Sequence, residues 1–249
     1  MTARLHPARY LSLVGLVGLL AVGCFKSTDN VGSDKVDESV VHQSWHLTYN
    51  DNPGATTEVF ARFRVGGSGG TNLILTPPSR ATAAGRELAP HDGYFLDTLP
   101  GRHYGCSLDG YQRQVEVKYV ARDGKVYAST LRLERSDFKA DQPAAWSRGR
   151  NVTVPFAGPP LAAGEEITLH VRSDKIRPDT KGQPAGVRAS GVGATAVTVK
   201  ASDLAPLANG GGSAYWMRTN TQPLQQGTPT GGTSVATYIS KPLPLKLTD

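Results

Sequence analysis

The chain has 249 residues, of which 39% are hydrophobic, 19% charged and 7% aromatic, with a formal net charge of +6. Its 28 glycines and 17 prolines make up about 18% of the chain, which is high for a helical protein. That share is still below the roughly 25–30% typical of low-complexity disorder. Helix-rich folds, coiled coils and disulfide-rich miniproteins are therefore disfavoured, and the length allows one or two domains.

The N-terminal segment is organised like a bacterial export signal. Arg4 and Arg9 make it positive, no acidic residue occurs before position 29, and an apolar run extends from Leu11 to Val22. This run is too short to span a hydrocarbon core about 30 Å thick, which needs about 20 apolar residues, but it suits a secretory signal. It ends in the sequence LAVGC, in which small residues precede Cys24. The ending resembles the lipobox of bacterial lipoproteins.

The resemblance implies a signal peptide at residues 1–23 and lipidation of Cys24. Each buried acyl CH₂ contributes about 0.8 kcal/mol, so several chains on one cysteine anchor a protein stably in a membrane. Phe25 stands where an aspartate would imply inner-membrane retention, so the resemblance implies the outer membrane of the bacterial cell envelope. Residues 24–42 are polar and predict a flexible tether. An ordinary signal peptide with a chance cysteine is the alternative.

Charge and cysteine content narrow the function further. Loss of residues 1–23 removes two arginines and no acid, which lowers the net charge from +6 to +4. A dedicated nucleic-acid binder would show clustered Lys and Arg, so we expect no nucleic-acid partner. The basic residues between Arg132 and Arg150 fit a solvated linker, with contact to an anionic envelope polymer as the alternative. With Cys24 acylated, Cys106 has no partner and is either a buried small hydrophobe or a reactive thiol.

The mature chain alternates apolar and polar residues with a period of two, which predicts strands. In Thr57–Val65, for example, Val59, Ala61 and Phe63 share one face, while Arg62 and Arg64 share the other. Further strands are predicted at Ser44–Tyr49, Thr71–Thr76, Tyr94–Leu96, Asn151–Phe156, Glu165–Arg172, Thr195–Lys200, Ala214–Thr219, Thr233–Ser240 and Leu243–Leu247.

Short strands with Gly- and Pro-rich connections are typical of antiparallel sandwiches. Residues 138–150 lose the periodicity and carry extra charge, which indicates a linker. We therefore predict an all-β chain with two antiparallel Ig-like β-sandwich domains, at residues 43–137 and 151–249. The pattern resembles envelope lipoproteins that carry Ig-like domains.

Three local details can also be predicted. Arg113–Leu133 should form a hairpin whose three-residue loop, Arg122-Asp123-Gly124, pairs Tyr119 with Tyr127 and keeps both apolar sets on one face. A short helix is predicted at Ser202–Ala208, capped at Ser202. Prolines at positions 242 and 244 should confine the last strand to a sheet edge.

Two strings match catalytic or cofactor motifs but lack the required context. Gly66–Gly70 (GGSGG) fits a nucleophile elbow, yet that elbow precedes a helix, whereas here a strand is predicted to follow. Residues 191–196 (GVGATA) fit a dinucleotide fingerprint, but they too lead into a predicted strand. The adjacent Glu165 and Glu166 would point to opposite faces of a strand and make a poor acid–base pair. We therefore predict no catalytic residues and no cofactor.

Metal binding has equally little support in the sequence. His42 and His46 have a chelating spacing on a helix, but four residues on a strand cover about 13 Å, too far for one ion. The run Asn50–Gly54 (NDNPG) carries oxygen ligands but lacks the alternating Asp pattern of a calcium loop, and an ordinary turn explains it. No metal site is predicted.

The aromatic residues give the remaining functional indication. Tyr215 and Trp216 are adjacent in a predicted strand, so their side chains should face opposite sides. An exposed ring could stack on a sugar or fill a partner's pocket, which makes the pair a candidate ligand contact. The alternative is that Trp216 belongs to the second core and Tyr215 is a half-buried face residue.

Two functional hypotheses follow. The first is a non-catalytic, lipid-anchored envelope protein that binds another envelope component or holds an assembly. The second is a surface lipoprotein that binds or processes carbohydrate. The expected partners are thus the membrane, through the N-terminal lipid, and an unidentified envelope protein or glycan.

Overall fold

The structure is a computed structural model that describes residues 30–95, 99–175, 185–189 and 191–249. The predicted signal peptide and Cys24 lie outside the described residues. The fold is all-β, as predicted. Its strands are β1 (Asn30–Gly32), β2 (Val41–Asn50), β3 (Thr56–Val65), β4 (Thr71–Ile74), β5 (Arg80–Ala83), β6 (Arg86–Glu87), β7 (Ala89–Phe95), β8 (Leu99–Asp109), β9 (Gln114–Val120), β10 (Val126–Arg132), β11 (Asp137–Phe138), β12 (Ala145–Ser147), β13 (Val152–Ala157), β14 (Glu165–Ser173), β15 (Ala185–Ala189), β16 (Ala196–Val199), β17 (Gly210–Pro223), β18 (Gly232–Ile239) and β19 (Leu243–Thr248).

One large sheet carries two smaller ones. Its main path runs β1-β4-β3-β2-β18-β17-β14-β15, with β8 and β7 continuing from β3 and with β19 and β12 continuing from β17. A four-stranded sheet, β10-β9-β5-β6, packs over the first half of this path, and a three-stranded sheet, β11-β13-β16, packs over the second half. The architecture is therefore sandwich-like, with a separate core under each small sheet.

Aromatic contacts organise both cores. In the first core, the Phe63 ring lies 5.7 Å from the ring of Trp45 and 4.9 Å from that of Tyr119, which belongs to the small sheet. In the second, Trp216 is 0% exposed and its ring lies 5.8 Å from that of Phe156. Such ring pairs contribute about 0.5–1.5 kcal/mol each beyond the area they bury, so they fix how each pair of sheets packs.

A strand from the C-terminal half joins the two halves of the large sheet. β18 pairs with β2 in parallel, from Gly232 opposite Gln43 to Ile239 opposite Asn50. Its inward residues, Ala236 and Tyr238, belong to the first core. The sheet is therefore continuous across the two predicted domains, and their number stays a prediction. Most strand pairs are antiparallel, as predicted, but β1–β4 and β12–β19 also pair in parallel.

Tyr238 also reaches the segment that connects the halves. Its hydroxyl lies 2.5 Å from an Asp137 carboxylate oxygen and 3.2 Å from an Asp51 carboxylate oxygen. Burial, and then the hydrogen bond with Asp137, raise the pKa of Tyr238 far above its usual range, so the phenol stays a donor. The Tyr238 ring stacks on that of Tyr49 at 6.1 Å. This cluster holds β11 against the first half.

A buried ion pair supports the second half. The Arg218 guanidinium in β17 donates to Glu165 of β14, and both side chains are almost inaccessible, at 2% and 3% exposure. Its two terminal amino groups also donate to the carbonyls of Pro159 and Pro160 and to the Ser136 hydroxyl. The Arg218 guanidinium therefore bonds to β14, to the loop that precedes it and to the segment that connects the two halves.

The predicted hairpin is confirmed in register. Tyr119 lies opposite Tyr127 across β9 and β10. The Ala121 N–H donates to the Lys125 carbonyl, and Gly124 has a φ of +84°, which leaves a three-residue loop with a left-handed glycine. The local pattern of apolar residues was sufficient to fix this turn.

The predicted tether and linker both contain ordered structure. Residues 30–42 include β1, which pairs with β4, and two short 3₁₀ turns, so the tether was predicted too long at its C-terminal end. Within the predicted linker at 138–150, Trp146 is 1% exposed in the second core, and Phe138 packs against Trp216 at 5.4 Å. The polar composition of both segments concealed the few residues that pack.

Two further local predictions need correction. The helix α1 covers Ala201–Leu204, and its N-cap is Lys200 rather than Ser202, because the Asp203 carboxylate accepts the Lys200 N–H. The last strand, β19, pairs with β17 over residues 243–247 and with β12 over residues 246–248, so it is not an edge throughout. Pro244 precedes the residues of β19 that pair with β12, so its missing N–H removes no hydrogen bond on that side. No helix in the described part of the chain is long and apolar enough to cross a membrane.

We expect Glu165→Ala to lower the free energy of unfolding by about 3–5 kcal/mol, because it leaves the Arg218 charge buried without its carboxylate. The neighbouring Glu166 provides the control, since it faces the other side of β14 and forms a more exposed pair with Arg188. Glu166→Ala should cost less than about 1 kcal/mol. Urea denaturation measures both values, and equal losses would contradict the assigned role of the buried pair.

Tyr238→Phe should lower the free energy of unfolding by about 1.5–3 kcal/mol, because it removes the donor that Asp137 and Asp51 share. Tyr127→Phe is the matched control, since its hydroxyl has no hydrogen-bond partner among the described residues. Thermal and urea unfolding of the two variants compare them directly. A Tyr238→Phe protein as stable as the control would show that this hydroxyl does not hold the halves together.

Candidate functional site

The face of the large sheet that points away from both cores carries the candidate site. We call it the outer face and define it by the side chains of β14, β17, β18 and β2 that alternate with core residues. Across these strands, Glu166, Thr219, Thr237 and Thr48 stand opposite one another in one row. One glutamate and three threonines make this part of the face polar.

The two adjacent aromatic residues of β17 separate as the strand geometry requires. Trp216 points into the second core, whereas Tyr215 is half-buried on the outer face. Trp216 is therefore a core residue and not a ligand contact, whereas Tyr215 stays partly accessible. The Tyr215 ring stacks on the ring of His170 in β14, with centroids 4.8 Å apart and planes 13° from parallel. His170 therefore supports one side of the Tyr215 ring.

A cleft lies beside Tyr215, at the point where β17 changes partners. Residues 210–214 of β17 pair with β19, and residues 217–223 pair with β18 along the same edge. Tyr215 falls between these stretches, next to the connection from β18 to β19. The cleft has a volume of about 270 Å³ and is lined by Asn50, Asn52, Arg172, Ser213, Tyr215, Ile239, Ser240 and Pro242.

The cleft carries hydrogen-bond donors and a positive charge. Arg172 Nε donates to the Ser213 hydroxyl at 2.9 Å. The two terminal amino groups of Arg172 have no protein partner within the described residues. Burial lowers the pKa of His170, so the imidazole behind Tyr215 is neutral at physiological pH and adds no second charge. None of the eight lining residues is an aspartate or a glutamate.

The Asn50 amide lies at the end of β2, and the Asn52 amide lies in the tight turn that follows. Ala55 N–H donates to the Asn52 carbonyl, and Gly54 has a φ of +75°, so Asn52–Ala55 closes as a turn with Pro53 in its second position. Glu58 bonds to Thr56 and Ser107 and does not join the turn. The ordinary-turn interpretation of the NDNPG sequence is confirmed.

The two motif-like sequences are each followed by a strand, as predicted. The GGSGG loop leads into strand β4, and its Ser68 carbonyl accepts a hydrogen bond from Arg64. The GVGATA sequence leads into strand β16. Neither string precedes a helix, so neither presents helix amides to an oxyanion or a pyrophosphate. Glu165 and Glu166 lie on opposite faces of β14, as predicted.

The remaining candidate residues lie apart from the cleft. His42 and His46 are both on β2, four residues apart along an extended strand. The described ranges contain no group of three or more His, Cys, Asp or Glu that could hold a metal ion. Cys106 is half-buried on β8, and burial raises the pKa of its thiol, which disfavours the reactive thiolate.

Sequence analysis found Tyr215 but missed the other polar members of the cleft. Arg172 was visible only as an outward residue of a predicted strand, and Asn50 and Asn52 only as turn residues. Arg172 precedes Tyr215 by 43 residues and the two asparagines precede it by more than 160, and no local pattern connects them. Their convergence depends on β18 entering between β2 and β17.

Comparisons with known proteins do not identify a family. No protein-family model and no curated protein matches the chain. A solved chain of a 1.5-MDa bacterial ice-binding adhesin is 15% identical over 84% of this chain and 65% of its own length, with a TM-score of 0.23. SGBP-B of the Bacteroides ovatus mixed-linkage glucan utilization locus, in complex with a mixed-linkage heptasaccharide, is 11% identical over 100% of this chain and 69% of its own, with a TM-score of 0.22. The chain thus spans less than two thirds of the adhesin chain, and similarities this low carry no argument about its ligand.

Proposed function

We propose that the chain is a lipid-anchored, non-catalytic protein of the bacterial cell envelope that acts as a binding or assembly module. The observation that supports this most directly is the cleft beside Tyr215. It combines a supported aromatic ring with amide and guanidinium donors on a rigid sheet. Binding sites are commonly concave, with an aromatic wall and a few convergent polar groups.

The chemistry of the cleft supports binding rather than catalysis. Hydrolysis of a glycosidic bond commonly uses two carboxylates on either side of the bond, and the lining residues supply none. Nucleophilic catalysis by Ser213 would need a base beside its hydroxyl. That hydroxyl accepts a hydrogen bond from Arg172 instead. The function proposed for this cleft is therefore recognition.

Carbohydrate is the ligand class that the cleft fits best. The face of an aromatic ring packs against the C–H face of a sugar, and the Asn50 and Asn52 amides offer both donors and acceptors for hydroxyl groups. The cleft volume of about 270 Å³ is slightly below the roughly 300–1,000 Å³ of most ligand pockets. Only one sugar ring of a longer glycan would enter, while neighbouring rings would lie along the outer face. An envelope protein partner is the second candidate.

We expect Cys24→Ala to abolish incorporation of radiolabelled palmitate and to move the protein from the membrane fraction to the soluble fraction. The reason is that the acyl chains on this cysteine supply the membrane affinity. Ser27→Ala, three residues further on, is the control and should leave labelling unchanged. Continued membrane anchorage of the Cys24→Ala protein would contradict lipidation at this position.

Tyr215→Ala should weaken binding to a soluble envelope or plant polysaccharide by about tenfold, the equivalent of about 1.4 kcal/mol. Affinity electrophoresis against a panel of neutral and acidic polysaccharides measures this. Val126→Ala, at an exposed position on β10 of the small sheet and away from the outer face, should leave binding unchanged. If no polysaccharide binds, the glycan assignment fails, and in-cell crosslinking followed by mass spectrometry then tests for one dominant envelope partner.

A further inference from the structure

The Arg172 side chain is held in a position from which it can bind a ligand. It stands directly opposite Ser213 across β14 and β17, and its Nε is fixed by the Ser213 hydroxyl at 2.9 Å. This bond orients the guanidinium plane but uses only one of its five donors. The two terminal amino groups remain available at the wall of the cleft, beside Tyr215.

No carboxylate of the protein competes for that guanidinium. Among the described residues, no Asp or Glu oxygen lies within 4.0 Å of Arg172. Asp51 stands between the two asparagines of the cleft in sequence, but its two oxygens lie 3.4 Å and 3.2 Å from the hydroxyls of Tyr49 and Tyr238. Asp51 is thus engaged at the junction of the two halves.

A planar guanidinium with two free amino groups matches a carboxylate better than it matches a neutral hydroxyl, because two parallel N–H···O bonds can form. The distribution of charge in the cleft adds to this preference. Arg172 is its one charged residue, and the neutral His170 behind Tyr215 does not spread positive charge over the ring side. An acidic sugar therefore pairs with the charge and the free donors of Arg172 better than a neutral sugar does.

We infer that the cleft recognises a carboxylate-bearing sugar, with Arg172 binding the carboxylate, Tyr215 packing on the ring and the Asn50 and Asn52 amides bonding to its hydroxyls. This inference rests on the proposed glycan binding and adds the ligand class to it. Uronic acids and sialic acids share this chemistry. They differ in ring substitution and in source, so both are included in the test.

Isothermal titration calorimetry of the full chain, extracted in mild detergent, tests the inference with three probes. They are tri-galacturonate, its fully methyl-esterified form and sialyl-lactose. Esterification removes the charge and keeps the ring, so we expect it to weaken binding at least about tenfold. Arg172→Gln should remove this difference, and Arg172→Lys should restore only part of it because an ammonium lacks the planar pair of donors.

Arg132→Gln is the matched control. It removes the same charge from an exposed position on β10, in the stretch where a general attraction to anionic polymers was the alternative. Loss of acidic-sugar binding in Arg172→Gln but not in Arg132→Gln supports a specific site. Circular dichroism of each variant establishes that the fold is intact.

The outcomes separate the inference from the proposed function. Equal binding of the acid and the ester, with both weakened by Tyr215→Ala, would overturn the preference for acidic sugars and leave glycan binding in place. Absence of binding to all three probes and to neutral polysaccharides would overturn both. If Arg172→Gln and Arg132→Gln weaken acidic-sugar binding equally, that binding is non-specific electrostatic attraction and does not occur at the cleft.

Discussion

The parallel pairing of β18 with β2 is the constraint on which the rest of the structure depends. It inserts a C-terminal strand into the first half, so that Tyr238 completes a core whose other members come mainly from residues 41–133. It also creates the cleft. β18 and β19 lie along the same edge of β17, and the chain must step from one to the other, which leaves Tyr215 beside a gap.

Strand β17 separates buried polar groups from accessible ones. Inward positions of β17 hold Trp216 and Arg218, and the buried guanidinium needs Glu165 and three neutral oxygen acceptors to offset its desolvation. Outward positions hold Ser213 and Tyr215, which stay partly accessible. One strand therefore stabilises the second half on one side and presents a binding surface on the other, and alternation with a period of two keeps these roles apart.

Local features were predictable from sequence and non-local ones were not. The hairpin register followed from the spacing of Tyr119 and Tyr127, because a one-residue slip would expose a whole apolar set. The β2–β18 pairing joins segments about 190 residues apart, and parallel partners leave no turn signal between them. Trp146 lay within a charged stretch that was predicted to be a linker. For the same reason Tyr215 was found as an isolated aromatic, while Arg172 and Asn50 were not recognised as its neighbours.

The order of strands separates the first described strand from the cleft. Of the described chain, β1 comes first and lies at one end of the main path, whereas β17 lies five strands away. At about 4.8 Å per strand, this distance is about 24 Å across the sheet. For a chain anchored through Cys24, such a separation holds the cleft away from the tethered edge. A polymer on the outer face could then reach Tyr215 and Arg172 without first displacing the anchored end.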